Sequence, residues 1–143
     1  MRRKAIRLLV ADERPGMELA AALAALPGVR VCAEVATASE VMEAVESLQP
    51  QCLLVDVSLP RLGGLDLLRA LRRLHRELPV VAVCLEGGRP RAAATLRAGA
   101  RAFLLREGAS RAFPAALAAV LAGKPYVDER IASRRRPRRE AVA

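Results

Sequence analysis

The sequence predicts a doubly wound α/β domain in which helices cover both faces of a central parallel sheet. Apolar runs of strand length alternate five times with longer stretches of helical period. Of the 143 residues, 53% are hydrophobic and 27% are charged, which is typical of a globular protein. This length is sufficient for one domain with a substantial hydrophobic core. Because strict strand and helix alternation favours parallel strands joined by right-handed crossovers, the sheet is expected to be parallel throughout.

Each predicted element rests on its hydrophobic pattern and on the residues that flank it. The predicted strands cover residues 6–11, 29–35, 52–57, 80–85 and 102–105. The predicted helices cover residues 16–26, 39–48, 64–76, 89–98 and 110–122. Thr37 and Glu40 have the spacing of a capping box at the start of the second helix. In the third helix, the hydrophobic face is predicted to consist of Leu65, Leu68, Leu71 and Leu74.

The composition of the strands predicts their order in the sheet. Strands one, three and four are almost wholly apolar, as expected for strands covered on both faces, whereas strand two carries Arg30 and Glu34 and suits an edge. These features favour a five-stranded sheet of order 2-1-3-4-5. In that order the winding direction reverses between strands one and three, so the ligand site is expected at their carboxyl ends.

Acidic residues follow both of those strands. Asp12 and Glu13 follow strand one, and Asp56 lies near the end of strand three. Three converging carboxylates require a cation, and their hard oxygen atoms suit Mg²⁺. Beside a metal ion, Asp56 is the best placed carboxylate to attack a phosphoryl group. The alternative is that each acid simply stabilises the start of a helix, which is reasonable for one of them and much less so for all three.

The chain resembles a bacterial response-regulator receiver domain over residues 5–122, and this implies the flavodoxin-like receiver fold. The matching motifs are LLVADE at 8–13, LVDVSLP at 54–60 followed by two glycines, PVVAVC at 79–84 and AGARAFLLR at 98–106. The segment GKPYV at 123–127 is most similar to the LuxR/NarL-type regulators. The resemblance implies a phospho-acceptor at Asp56, Mg²⁺ held by Asp12, Glu13, Asp56 and the backbone carbonyl of Ser58, and a sensor histidine kinase as partner.

Three positions expected to contact the phosphoryl group or to switch with it are Cys84, Arg106 and Phe103. The family usually has Thr or Ser in place of Cys84 and Lys in place of Arg106, and its aromatic switch position matches Phe103. A thiol donates a weaker hydrogen bond than a hydroxyl, and Arg for Lys is not conservative at a close contact. The alternative functional hypothesis is therefore an atypical receiver that acts without phosphorylation as an interaction or dimerisation module.

The predicted domain spans residues 1–123, and residues 124–143 are predicted to form a basic linker or tail that is disordered toward its end. The net charge is +9, but segments 2–4 and 134–143 supply +3 and +4 of it. The remaining body is almost neutral, so DNA is expected to be bound only through a helix-turn-helix domain outside these residues. The output is then expected to be transcriptional, and the resemblance allows a homodimer.

Other features argue against further functions. The first apolar run is too short for a membrane span or signal peptide, so no membrane association is expected. Three cysteines inside apolar runs suit reduced thiols and a cytoplasmic protein. The solitary His75 is expected to be a solvated side chain, and no hydrolase motif accompanies it. The chain is thus predicted to be a phosphoryl acceptor and not a turnover enzyme.

Overall fold

The computed structural model describes residues 4–13 and 18–132, which form alternating strands and helices. The strands are β1 Ile6–Ala11, β2 Val29–Val35, β3 Cys52–Asp56, β4 Val80–Cys84, β5 Ala102–Leu105 and β6 Tyr126–Val127. The α-helices are α1 Glu18–Ala24, α2 Ala38–Leu48, α3 Gly64–Leu74, α4 Arg89–Ala98, α5 Ala109–Leu121 and α6 Glu129–Ala132. A short 3₁₀ helix, Pro60–Leu62, precedes α3.

The sheet is parallel and has the order β2-β1-β3-β4-β5-β6, which confirms the predicted order of the first five strands. Alternate residues of the central strands enter two separate cores. Leu9, Leu53 and Phe103 lie in the core that includes residues of α2, α3 and α4, whereas Leu8, Leu54 and Leu104 lie in the core of α1 and α5. Burial on both faces explains the nearly continuous apolar sequence of β3 and β4.

Local capping follows the predicted pattern at α2. The Thr37 hydroxyl accepts a hydrogen bond from the Glu40 amide, and the Glu40 carboxylate accepts one from the Thr37 amide. The backbone amide of Ala36 also donates to Glu40 and lowers the pKa of its carboxyl group. This capping box fixes the start of the helix that follows the edge strand.

Two expectations about α3 are wrong. Leu74 is 59% exposed, and Leu67 is buried with Leu68 and Leu71. A spacing of three residues turns the helix by about 300° at each step, so four leucines spaced by three drift around its surface rather than sharing one face. His75 follows the helix with its side chain only 18% exposed and its Nε2 3.6 Å from Glu46 Oε1, so it is not a solvated side chain.

The sixth strand and α6 lie in a segment that was predicted to be linker, and the predicted count of five strands is therefore one too low. β6 pairs with β5, and the Asp128 carboxylate then accepts a hydrogen bond from the Leu105 amide at 3.0 Å. Arg130 pairs with Asp128 at 2.8 Å and donates to the Glu107 carbonyl at 2.5 Å. A two-residue strand is too short to show a hydrophobic period, so the sequence pattern could not predict β6. The contacts of Asp128 and Arg130 hold this segment against the end of β5. The disorder predicted toward the end of the tail concerns residues 133–143, which lie outside the described part of the chain.

Substituting Asp128 tests how firmly this segment is attached. Burial alone would raise the pKa of Asp128, but hydrogen bonds from Arg130 and the Leu105 amide lower it below the usual value for an aspartate. A lowered pKa stabilises the folded state above the unfolded value and stops doing so as pH falls through the folded value. Asp128→Asn should therefore cost about 1 to 2 kcal/mol at about pH 6 and less below pH 4, measured by urea unfolding. An equal cost at both pH values would contradict this.

Within residues 4–13 and 18–132, no helix combines the length and apolar character that crossing a membrane requires.

Candidate functional site

The carboxyl ends of β1 and β3 place two aspartates side by side. β1 pairs with β3 through Val10 with Leu54 and Ala11 with Val55. Asp12 follows β1 directly, and Asp56 is the last residue of β3. Both are almost completely buried, at 3% and 0% exposure. The structure thus brings these two predicted site residues together at the point where the winding direction reverses.

Asp56 is held on one side by Ser58. Its Oδ1 accepts a hydrogen bond from the Ser58 amide at 2.8 Å and another from the Ser58 hydroxyl at 2.5 Å. The Ser58 hydroxyl in turn accepts one from the Leu85 amide at 3.3 Å, which links the loop after β3 to the end of β4. Sequence reasoning assigned a role only to the Ser58 carbonyl, and it missed this hydroxyl.

Arg106 joins the two buried aspartates. Its Nη1 lies 2.6 Å from Asp56 Oδ2, and its Nη2 lies 2.7 Å from Asp12 Oδ2. Burial alone would lower the pKa of the guanidinium, but hydrogen bonds to Asp12 and Asp56 and their charges raise it. One planar guanidinium can donate to two acceptors at once, whereas an ammonium is a single point charge. The Arg106 guanidinium therefore supplies a positive charge between the two aspartates.

The other predicted site residues lie around this centre with different partners. Glu13 Oε2 accepts a weak hydrogen bond at 3.5 Å from the amide of Arg61, which lies in the 3₁₀ helix before α3. Cys84, the last residue of β4, is buried, and its thiol donates to the Glu86 carbonyl at 3.0 Å. Phe103 is fully buried in the core that also contains Ile131. The roles assigned to these three residues remain predictions.

The Mg²⁺ site predicted at Asp12, Glu13 and Asp56 remains a prediction. Among the described residues, no group of three or more His, Cys, Asp and Glu side chains is arranged to hold a metal. Arg106 supplies positive charge between Asp12 and Asp56, whereas Glu13 contacts the 3₁₀ helix before α3. Carboxylate oxygens suit Mg²⁺ in kind, and the Oδ2 atoms of both aspartates also contact Arg106 here.

Sequence reasoning also missed how Arg106 is positioned. Its neighbours Leu105 and Glu107 are both hydrogen-bonded to the segment after α5, through Asp128 and Arg130. The Arg106 amide donates to the Cys84 carbonyl at 2.8 Å. The backbone on both sides of the bridging arginine is thus fixed by Asp128, between β6 and α6, and by Arg130 of α6.

Comparison with known protein families identifies the family of this chain. The model of the response regulator receiver domain matches residues 8–118 of the chain. The chain is a receiver domain of the two-component response regulators. This confirms the resemblance seen in the motifs around Asp12 and Asp56.

Relatives of known sequence and structure agree with this. The chain is 31% identical over 129 residues to the response regulator GacA of Pseudomonas protegens, covering 89% of this chain and 61% of GacA. A LuxR-family response regulator from Aurantimonas sp. superimposes with a TM-score of 0.81 at 23% identity, covering 91% and 94% of the two chains. The isolated receiver domain of RcsB from Salmonella enterica serovar Typhimurium gives 0.77 at 21% identity, covering 91% and 98%. The chain spans about 60% of the length of the GacA proteins it matches.

Proposed function

We propose that this receiver domain accepts a phosphoryl group on Asp56 from a sensor histidine kinase. The observation that carries the proposal is the buried Asp56 carboxylate at the end of β3, placed between the Ser58 donors and Arg106. In the transfer, a carboxylate oxygen forms the bond to phosphorus while the bond from phosphorus to the kinase imidazole breaks and its electron pair returns to the ring. Arg106 is then within reach of the new negative charge.

Mg²⁺ is the proposed cofactor. The residues that would hold it are Asp12, Glu13, Asp56 and the Ser58 carbonyl, and the ion would neutralise the charge of the incoming phosphoryl group. The Glu13 carboxylate accepts a hydrogen bond from the Arg61 amide at 3.5 Å. The proposed transfer uses one Mg²⁺ ion and does not require a general base.

The proposed output is transcriptional, exerted in the cytoplasm through a DNA-binding domain that is not among these residues. The support is the similarity to GacA response regulators and the fold shared with a LuxR-family regulator. The proposal also allows a homodimer, as in the RcsB dimers bound to DNA. The function of the receiver domain itself would be to change the orientation or pairing of such output domains.

A second function is favoured by a specific observation. Arg106 already bridges Asp12 and Asp56, and the Cys84 thiol is hydrogen-bonded to the Glu86 carbonyl. A pocket whose groups are satisfied without a phosphoryl group suits a receiver that acts constitutively as an interaction or dimerisation module. The two functions differ in whether Asp56 is modified at all.

Intact-mass spectrometry after incubation with acetyl phosphate and Mg²⁺ distinguishes them. We expect one phosphoryl group on the chain without substitutions and none on the Asp56→Asn variant. Asp66→Asn is the matched control, because Asp66 is an exposed acid on α3 that pairs only with neighbouring Arg69 among the contacts described. This variant should be phosphorylated normally. An unmodified mass, or a modification that persists in Asp56→Asn, would remove phosphotransfer and leave the constitutive module.

A further inference from the structure

Two adjoining cavities lie at the edge of the sheet opposite Asp56. Gln51, Pro79 and Arg101 directly precede β3, β4 and β5, so the larger cavity, which all three line, is at the amino ends of these strands. Its volume is about 790 Å³, and the second cavity measures about 470 Å³. Both are lined by His75, Arg76, Leu78 and Arg101. Volumes of this order are typical of sites for small molecules.

Positive charge is concentrated around these cavities. The arginines that line them are Arg72, Arg73, Arg76, Arg97 and Arg101, against one acidic residue, Glu77. Among the residues that the structure describes, none of these five arginines forms an ion pair with a carboxylate. Cations that line a common cavity repel each other, so an anion bound between them is stabilised by all of them.

Two of these arginines are held by backbone carbonyl groups. Arg72 Nη1 donates a hydrogen bond to the Arg97 carbonyl at 2.8 Å, and Arg101 Nη2 donates one to the Arg76 carbonyl at 2.8 Å. A carbonyl acceptor positions a guanidinium without neutralising its charge. The ends of α3 and α4 explain Arg72, Arg73 and Arg97, because a cation in the last helical turn interacts favourably with the helix dipole. Arg76 and Arg101 lie outside the helices, so helix stabilisation does not explain them.

Hydrophobic side chains form another part of the larger cavity. Leu74 and Leu121 both line it and are 59% and 49% exposed. An exposed leucine is stabilised by contact with an apolar ligand surface, whereas the arginines require negative charge. The planar guanidinium group matches the geometry of phosphate oxygens. A ligand that uses both features carries phosphate groups and an apolar or aromatic part.

We propose that the amino edge of the sheet, at Arg76 and Arg101, binds a phosphorylated small molecule of the nucleoside polyphosphate class. This site goes beyond the proposed function, because it lies at the opposite ends of the strands from Asp56 and binding there requires no modification of that residue. A nucleic acid strand is a poorer match, since a long polyanion requires an extended positive surface and the body of the domain is almost neutral.

Amide NMR titration of the whole chain with ATP, in metal-free buffer of low ionic strength, tests this site. Signals of residues 72–78 and 99–101 should shift, with a Kd below about 1 mM. Arg76→Gln should weaken this binding roughly tenfold or more, because it removes a charged donor from an exposed side chain. The control Arg111→Gln removes an exposed arginine of α5 that lines neither cavity, and the affinity should stay within about twofold.

Pyrophosphate and adenosine separate the two parts of the ligand. Pyrophosphate should shift the same signals at higher concentration than ATP, because it lacks the part that contacts the leucines, and adenosine should bind most weakly because it lacks charge. The arginines between 134 and 139 are present in every variant, and binding to them affects other signals.

Several results would overturn the site. These are the absence of shifts with ATP, shifts confined to the signals around Asp56, adenosine binding as tightly as ATP, or an equal loss of affinity in Arg111→Gln. Tighter binding of an oligothymidylate than of ATP at the same signals would replace the small molecule by a nucleic acid. If thermal melting shows that Arg76→Gln does not fold, Arg73→Gln carries the same comparison, since Arg73 is an exposed arginine of the larger cavity.

Discussion

Replacing Arg106 by alanine should lower the free energy of unfolding by about 2 to 4 kcal/mol at neutral pH. The substitution removes the cation that contacts two almost completely buried carboxylates, Asp12 and Asp56. Two buried carboxylates that lose their shared cation repel each other and lose part of the compensation for their lost hydration. The lower part of the range allows for the partial exposure of Arg106, which lets water enter the pocket. Urea unfolding followed by circular dichroism in EDTA measures the change.

The matched control for this loss is Arg111→Ala. Arg111 is exposed on α5, so its removal takes one positive charge from the same region without touching the aspartates. Its effect should stay within about 0.5 kcal/mol, as is usual for exposed positions. Arg106→Lys should recover part of the stability, because the charge is kept. If Arg106→Ala and Arg111→Ala lowered the free energy of unfolding equally, the bridge between Arg106 and the aspartates would contribute nothing to stability.

Phosphorylation of Asp56 should change the conformation of this receiver only slightly. The same phosphorylation should produce a larger change in the double variant Cys84→Thr, Arg106→Lys. A ligand shifts a two-state equilibrium only by its differential interaction with the two states. Here the Cys84 thiol is hydrogen-bonded to the Glu86 carbonyl, and a thiol is a weak donor to a phosphoryl oxygen. The missing charge-assisted contact is worth about 1.5 to 3 kcal/mol, or roughly ten- to a hundredfold in the ratio of active to inactive states.

Amide NMR spectra with beryllofluoride and Mg²⁺ measure the extent of this response. In the unmodified chain the shifted signals should be confined near Asp56. In the double variant they should extend to α4 and to Phe103, which is buried on β5. Cys32→Thr is a control that introduces the same hydroxyl on the edge strand β2, and it should not extend the shifts. Large shifts across α4 in the unmodified chain would refute this explanation of the pocket.

The parts of the fold that the sequence predicted are those with long hydrophobic patterns. β3 and β4 are buried and almost wholly apolar, and this pattern predicted that they lie inside the sheet. The strand order in turn predicted a site at Asp12 and Asp56. The capping box at Thr37 was equally readable, because its two residues interact locally. The sequence therefore predicts features that depend on continuous hydrophobic patterns or on residues close together in the chain.

The remaining features depend on contacts between residues distant in sequence. β6 has only two residues, and its attachment requires Asp128 to reach the Leu105 amide 23 positions away. The bridge of Arg106 to Asp12 spans 94 positions, and no periodicity indicates that one side chain contacts both aspartates. The substitution of Arg at a position where the family usually has Lys was the one available signal. It indicated an altered pocket without indicating the second aspartate.

The central claim is that one guanidinium joins two buried carboxylates, and a double-mutant cycle between Arg106→Ala and Asp56→Asn tests it most directly. Removing the arginine should be much less costly when Asp56 is already neutral, because only the Asp12 carboxylate then loses its partner. The predicted coupling free energy is about 1 to 3 kcal/mol in urea unfolding at neutral pH and low salt. Additive effects of the two substitutions, with no coupling, would contradict the bridge.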